Sequence, residues 1–456
     1  MEIIKNKPKV NRYPNYKNSD VEWLGKIPEH WEALANKYIF NLKKNQVGKN
    51  SDKYALLSLT LKGIVIRNLE NGGKFPAEFD TYQEVKKGDF VFCLFDVEET
   101  PRCVGLSDFE GMITGAYTVM GPNDNFDRSF LYYFYLNLDA DKRMKPLYTG
   151  LRNTISKDNF FAFKTFVPPL NEQIAIAQFL DDKTTKIDEA ITIKQQQIIL
   201  LKERKQILIH KAVTRGVPPK RHPELDSGSV PKEPKLKNSG IEWIGEIPEH
   251  WEVKRFRYVF NLGKGLTITK ENLRDEGVFC VNYGEIHSKY GFEIDTKIHK
   301  LKCVDEEYLK SNSNALINNG DFVFADTSED IEGSGNFTYL KSENEIFAGY
   351  HTVVAKPKFE IESRFFAYIF ESESFRNQIR TKVKGVKVYS ITQSILKEPT
   401  VWFPSKNEQI KIVNYLDLGT KKIETAIRLK QQEIEKLKEY KSSLINSVVT
   451  GKVKVC

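Results

Sequence analysis

Glu203-Arg204-Lys205 and Glu439-Tyr440-Lys441 place a carboxylate two residues before an amine, the ExK spacing with which nucleases hold a divalent cation. Both triplets sit in Lys/Glu-rich helical stretches, where that order arises without any metal. His30 and His250 each stand between a Glu and a Trp, with no second His or Cys nearby to complete a ligand or catalytic set. A structural turn is the expected role for both. No Asn/Asp-Pro-Pro-Tyr/Phe segment, glycine-rich strand-to-helix loop or GxxxxGK[ST] cradle occurs. No residue is therefore assigned to catalysis, and none to a metal. What remains is recognition chemistry, which needs Arg, Lys, Asn or Gln with reach on loops or helix ends. Gly150-Leu151-Arg152-Asn153-Thr154-Ile155-Ser156-Lys157 offers Arg152, Asn153 and Lys157 in a glycine-led loop. A second loop, Lys384-Gly385-Val386-Lys387-Val388-Tyr389-Ser390, offers Lys384, Lys387 and Tyr389. Further candidates are Lys62, Arg67 and Arg102 in the first half, and Lys264, Lys270 and Tyr283 in the second. Asp326-Thr327-Ser328-Glu329-Asp330, followed by Gly333-Ser334-Gly335, reads as a flexible acidic loop that could accept from cytosine amines.

These loops belong to a chain that repeats itself. Asn18–Lys44 and Asn238–Lys264 share 16 of 27 residues at an offset of 220, including IPEHWE in both. Asn171–Thr214 returns at an offset of 236 with 24 of 44 residues identical, each copy opening on Asn-Glu-Gln. The difference of 16 between the offsets means that matched ends enclose interiors of different length and sequence. GDFVF recurs at Gly88 and Gly320, so the interiors share one fold with different loops. Short alternating runs such as Tyr54–Leu61 and Phe90–Leu94, broken by Gly72-Gly73, predict strands, and a helix is expected around Ser129–Leu138. Trp23, Trp31, Trp243 and Trp251 belong to the repeated segments and are expected as core anchors.

At 456 residues, with 40% hydrophobic and 12% aromatic content, the chain is long enough for several folded domains. A net charge of +8 suits a polyanionic partner. Five cysteines without a CxxC pair suit free thiols in a reducing cytoplasm. No apolar run is long enough for a bilayer, and the opening MEIIKNKPKVNRYP has no apolar signal core, so no membrane is expected.

From Asn171 no Gly or Pro interrupts the chain until Gly216, which predicts one long helix; a second is expected from Asn407 to about Val449. Ile187, Lys194, Leu201 and Leu208 are seven apart, with Ile191, Ile198, Lys205 and Ala212 as the companion row. The second helix repeats the seam with Ile423, Lys430, Leu437 and Leu444, then Ile427, Ile434, Lys441 and Val448. Such a seam, with Lys at the same slots in both copies, predicts a coiled coil whose polar interruptions fix register. At 1.5 Å per residue each helix would run roughly 64 Å. Antiparallel pairing would relate the copies by a pseudo-twofold axis. Each mixed domain could then face one half of a duplex site, half-sites one turn apart being about 34 Å from centre to centre.

This paired arrangement resembles the specificity (S) subunit of type I restriction-modification systems. The residues that carry it are Glu22–Glu32 and Glu242–Glu252, the GDFVF strands, and the Asn-Glu-Gln openings at Asn171 and Asn407. One departure is that Val-Pro-Pro-Leu precedes the first opening but Phe-Pro-Ser-Lys the second. The resemblance implies an α+β fold: two similar mixed α/β target-recognition domains separated by two long helices pairing as an antiparallel coiled coil. The expected layout is an arm over 1–17, domains over 18–170 and 238–406, helices over 171–216 and 407–456, and a proline-bearing linker over 217–237. It also implies a non-catalytic reader of double-stranded DNA at a bipartite site, with the 150–157 and 384–390 loops toward the DNA. Two modification subunits carrying S-adenosylmethionine and two restriction subunits using ATP and Mg2+ are the implied partners, and this chain itself is expected to bind no cofactor. A stand-alone two-headed DNA-binding regulator and a coiled-coil protein scaffold are the alternatives. Neighbouring reading frames separate the first of these, and salt-dependent DNA binding separates the second.

Overall fold

The computed structural model describes residues 11–68, 78–218, 234–385 and 387–455. The start of the arm, the Gly72-Gly73 turn, most of the proline-bearing linker, Val386 and Cys456 lie outside the described residues. The chain divides into two compact units, residues 1–195 with 431–456, and residues 196–430.

In the first unit, strands Phe40–Lys43, Thr118–Pro122, Phe90–Phe92 and Val104–Leu106 form an antiparallel sheet in that order. The Phe90–Phe92 strand is buried on both faces, as expected for an interior strand that reads as an unbroken apolar run. Helix Arg128–Ala140 begins where Asp127 accepts a hydrogen bond from the Phe130 amide at 2.8 Å. Its Phe130, Phe134, Tyr135 and Leu138 are fully buried. Tyr135 shares its hydroxyl with Asn36 and Thr165, each at 2.8 Å, so the polar atom of this core aromatic is satisfied. Where the sequence predicts a strand over Tyr54–Leu61, the strand is Leu57–Thr60: the Tyr54 amide closes the preceding 3-10 turn onto the Ser51 carbonyl at 3.2 Å, and Leu61 opens the turn to Gly63–Ile66.

In the second unit, the sheet order is Phe260–Lys264, Thr352–Pro357, Phe322–Ala325, Phe337–Leu340, Phe292–Ile294. A second sheet of four strands, with Val278–Val281 parallel to Ile346–Ala348, has no four-stranded counterpart in the described part of the first unit.

The two repeated segments of each half meet. Glu172, from the first Asn-Glu-Gln, accepts from Trp31 Nε1 at 3.0 Å and Tyr13 Oη at 2.7 Å, and lies 2.7 Å from His30 Nε2. Glu408 does the same for Trp251 Nε1 at 3.2 Å and His250 Nε2 at 2.9 Å. The neighbouring Gln173 and Gln409 each donate to a proline carbonyl and accept a backbone amide, Asp127 in one unit and Glu362 in the other. His30 and His250 thus fasten the mixed domain to the helix. Trp31 and Trp251 are core residues; Trp23 is half-buried, packed against the first core and covered by the guanidinium of Arg143, whereas Trp243 keeps 39% exposure. Leu24 and Ile244, the residues that follow them, are buried.

The long helices run Leu170–Arg215 and Lys406–Val449. In the first unit, Lys441 pairs with Asp188 at 2.6 Å and Lys194 with Glu433 at 2.5 Å. Advancing along one helix moves back along the other, so the segments in this unit are antiparallel. In the second unit, Lys205 pairs with Glu424 at 2.7 Å, and Leu208 lies against Gly419, where a Cβ would come within 2.6 Å of the leucine. All sixteen predicted seam positions are buried or half-buried. The seam lysines Lys194, Lys205 and Lys441 lie along that stripe and turn their amines to acids on the facing helix, as long side chains do at such edges.

Candidate nucleic-acid interface

Strands Tyr148–Thr149 and Thr154–Ile155 form a short hairpin whose tip is Gly150 to Asn153. Gly150 at φ +69° and Asn153 at φ +45° make the tight reversal, a conformation that glycine and asparagine tolerate. Leu151 at the tip is fully exposed. The hairpin is laced to the segment following Phe90–Phe92: the Ile155 amide donates to the Leu94 carbonyl at 2.8 Å, and the Asp96 amide to the Arg152 carbonyl at 2.9 Å. The Arg152 side chain answers with Nε to Asp96 Oδ1 at 2.9 Å and Nη2 to Asp96 Oδ2. This guanidinium holds the Asp96 carboxyl below the ordinary carboxylate range. Asn153 Nδ2 donates to Glu99 at 3.3 Å. Lys157 is exposed in the first turn of helix Lys157–Ala162, whose cap is the Ser156 hydroxyl.

Lys62 is exposed at the turn between strands Leu57–Thr60 and Gly63–Ile66, and Arg67 follows the second of these. Arg102 shares a cavity of about 940 Å³ with Lys62. Its Nη2 donates to the Leu61 carbonyl at 3.1 Å, and its Nε lies 3.9 Å from Asp139, so it braces the turn carrying Lys62.

In the second unit the corresponding loop is arranged differently. Lys384 and Lys387 are exposed, and Tyr389 is half-buried in a strand paired with Thr327–Ser328. The Ile391 amide donates to the Asp326 carbonyl at 2.7 Å, as Ile155 does to Leu94. At the repeat offset of 236, Arg152 corresponds to Val388, which is 53% exposed. Val388 borders a cavity of about 640 Å³ lined also by Tyr283, His287, Asp330 and His351. His287 is held between the Thr327 carbonyl at 2.8 Å and Asn336 Nδ2 at 2.7 Å, which suits the neutral ring with its proton on Nε2. His351 Nδ1 lies 3.2 Å from Asp326. Lys264 lines an adjoining cavity with Asp326, while Lys270 is exposed in the turn Lys270–Asn272.

The structure thus gathers Arg152, Asn153 and Lys157 in the first unit, with Lys62 and Arg102 together at another place. In the second unit, Tyr283 lies near the Tyr389 loop. Asp96, which fixes the direction of Arg152, was not legible in the sequence, since 56 residues separate the two and nothing in their spacing joins them. Among the described residues, no group of His, Cys, Asp and Glu is arranged to hold a metal ion, and no helix is long and apolar enough to cross a membrane. Of the first ExK triplet, Glu203 is exposed and Lys205 pairs with Glu424 on the facing helix.

A family model described as the type I restriction modification DNA specificity domain matches residues 248–439. The chain is 26% identical over 337 residues, 73% of its length, to the type I restriction enzyme MjaVIII specificity subunit of Methanocaldococcus jannaschii, of which 72% is covered. It is 25% identical over 467 residues, 97% of each chain, to the putative type I restriction enzyme MjaX specificity subunit of the same organism. Its fold is similar to that of a chain solved in work on complex assembly and conformational transition of the type I R-M system. There the TM-score is 0.64 at 13% identity, covering 93% of this chain and 98% of that one. These comparisons name the same family that the Ile-Pro-Glu-His-Trp-Glu and Asn-Glu-Gln segments resemble.

Proposed function

We propose that this chain, a member of the type I restriction-modification specificity family, is the non-catalytic DNA reader of a restriction-modification complex. Each mixed domain reads one half of a bipartite site. An antiparallel coiled coil of the two long helices sets the spacer between the halves and docks two modification subunits. S-adenosylmethionine on those subunits supplies the methyl group, and ATP with Mg2+ serves two restriction subunits that join for cleavage.

The observation that carries this reading is the make-up of the two units. Each combines one mixed domain with the opening of its own helix and the closing stretch of the other. Such an exchange of helix ends is what a pseudo-twofold pairing requires. The exposed Ile199, Leu200 and Ile207 on the first long helix offer apolar surface for a partner subunit. The net charge of +8 favours a DNA partner.

The test is reconstitution. The purified chain alone should bind duplex DNA with an affinity that falls steeply with salt. It should methylate adenine only after modification subunits and S-adenosylmethionine are added. Methyl transfer by the chain alone, or DNA binding indifferent to salt, would reject the reading.

A further inference from the structure

We infer that Arg152, steered by Asp96, is a guanine-reading residue, so that the half-site met by the first domain contains a guanine that Arg152 specifies. The inference rests on the DNA-reading role proposed above and adds which base one residue selects.

The argument begins with the donors of the guanidinium. Arginine has five N–H groups in a fixed plane. In Arg152 the Nε edge is taken: Nε and one N–H of Nη2 face the Asp96 carboxylate. The opposite edge, Nη1 with the second N–H of Nη2, has no partner among the described residues, and the side chain is 71% exposed. Two parallel N–H groups on that edge match the O6 and N7 acceptors that guanine presents in the major groove. Adenine offers an amine in place of O6, and so repels half of the fork.

Asp96 is itself held. Its amide donates to the Arg152 carbonyl at 2.9 Å, and its carbonyl accepts from Thr100 at 2.9 Å. Backbone and side chain therefore close a ring between the two residues, and Asp96 adopts φ +46°, a conformation that this double tie maintains. The side chain is oriented before DNA arrives, which lowers the ordering loss on binding. A phosphate role fits less well. The carboxylate beside Arg152 offsets its charge, and Glu99, which accepts from Asn153, adds negative charge within the same turn, while Glu98 is met by Lys145 at 3.3 Å. Base recognition survives such neutralisation because it depends on the placement of N–H groups; phosphate attraction does not.

The second domain supplies the contrast. Val388 stands where Arg152 stands in the first, and it has no donor. The guanine requirement is thus a property of the first half-site alone at that position.

The experiment co-expresses the full chain with its modification subunits and maps methylated adenines across a genome. The maps are compared for wild type, Arg152→Ala, Arg152→Lys, Asp96→Asn and Val388→Ala. In the wild type, one half of a bipartite motif should contain an invariant guanine. Arg152→Ala should relax that one position by about ten-fold or more, leaving the other half and the spacer unchanged. Arg152→Lys should relax it too, because an amine lacks the fork. Asp96→Asn should weaken discrimination there while the motif stays otherwise intact. That change separates positioning from folding, since a folding defect would lower methylation everywhere alike. Val388→Ala should leave the guanine untouched. A bipartite motif in which the Arg152 variants alter no position, or alter both halves equally, overturns the inference while the proposed function stands. The absence of any bipartite motif overturns both.

Discussion

In the first unit Glu172 gathers Trp31, His30 and Tyr13, and in the second Glu408 gathers Trp251 and His250. The same economy recurs where the domain helix meets the long helix. Tyr133 donates to Asp181 at 2.7 Å and lies 3.0 Å from Thr184; Tyr368 donates to Asp417 at 2.6 Å and lies 3.3 Å from Thr420. The units part company at their loops. One presents an arginine fork braced by an aspartate, and the other an apolar valine beside a cavity lined by histidines, a tyrosine and acids. The comparison teaches that these copies preserve the contacts joining domain to helix and vary the loops that the domain exposes. That division is what a two-headed reader needs, because either head can change without disturbing how it is held.

The comparison can be broken at the fastening points. Trp31→Ala and Trp251→Ala each remove a fully buried indole and the bond to the glutamate, and each should cost about 3–5 kcal/mol. Chemical denaturation followed by fluorescence of the remaining tryptophans checks this. A loss under about 1 kcal/mol in either unit would mean that the two fastenings are not equivalent.

Glu172→Ala and Glu408→Ala test the acceptor side of the same contact. Glu172 has a 14% exposed side chain and three partners, whereas Glu408 is 31% exposed with two. Leaving the buried donors without an acceptor should cost about 1–3 kcal/mol in the first unit and less in the second. Thermal melting of the two variants would contradict this ranking if Glu408→Ala proved the more harmful.

A finer distinction lies at the tyrosines. Asp417 also receives Arg364 Nε at 2.7 Å, whereas no second side chain is seen donating to Asp181 in the described contacts. Tyr133→Phe should therefore cost about 1 kcal/mol, and Tyr368→Phe a fraction of that. Equal effects would remove Arg364 as the reason for the difference.

Much of this architecture was legible in the sequence because it is carried by local signals. Seven-residue spacing shows which helix face is buried, and Ile187, Ile198, Leu201, Ile423, Ile434 and Leu444 all lie along it. Short apolar runs broken by turn residues marked the strand at Phe90, and a helix is expected around Ser129–Leu138; they run Phe90–Phe92 and Arg128–Ala140. The parts that resisted reading are contacts between distant residues. Repetition marked Glu172 and Trp31 as belonging to the frame, yet only folding shows that they touch across 141 residues. Repetition marks Trp23 and Trp243 as shared structure without telling inside from outside: Trp23 packs half-buried against the core, and Trp243 is 39% exposed. Arg102 is a recognition candidate by residue type alone, and folding places it against Asp139 and the Leu61 carbonyl. Arg152 gains a direction only from Asp96, whose unusual backbone angle no residue pattern announces.

The proposed function requires that paired helices hold two unlike readers at one fixed separation. Pulsed electron spin resonance between labels at Lys53→Cys and Lys310→Cys, both exposed and one in each unit, measures that separation directly. The other described cysteines, Cys93, Cys103, Cys280 and Cys303, are buried, and Cys456→Ser removes the remaining one. The account predicts a single narrow distance distribution in the full chain. A broad or multi-peaked distribution would show domains that move independently, and would contradict it.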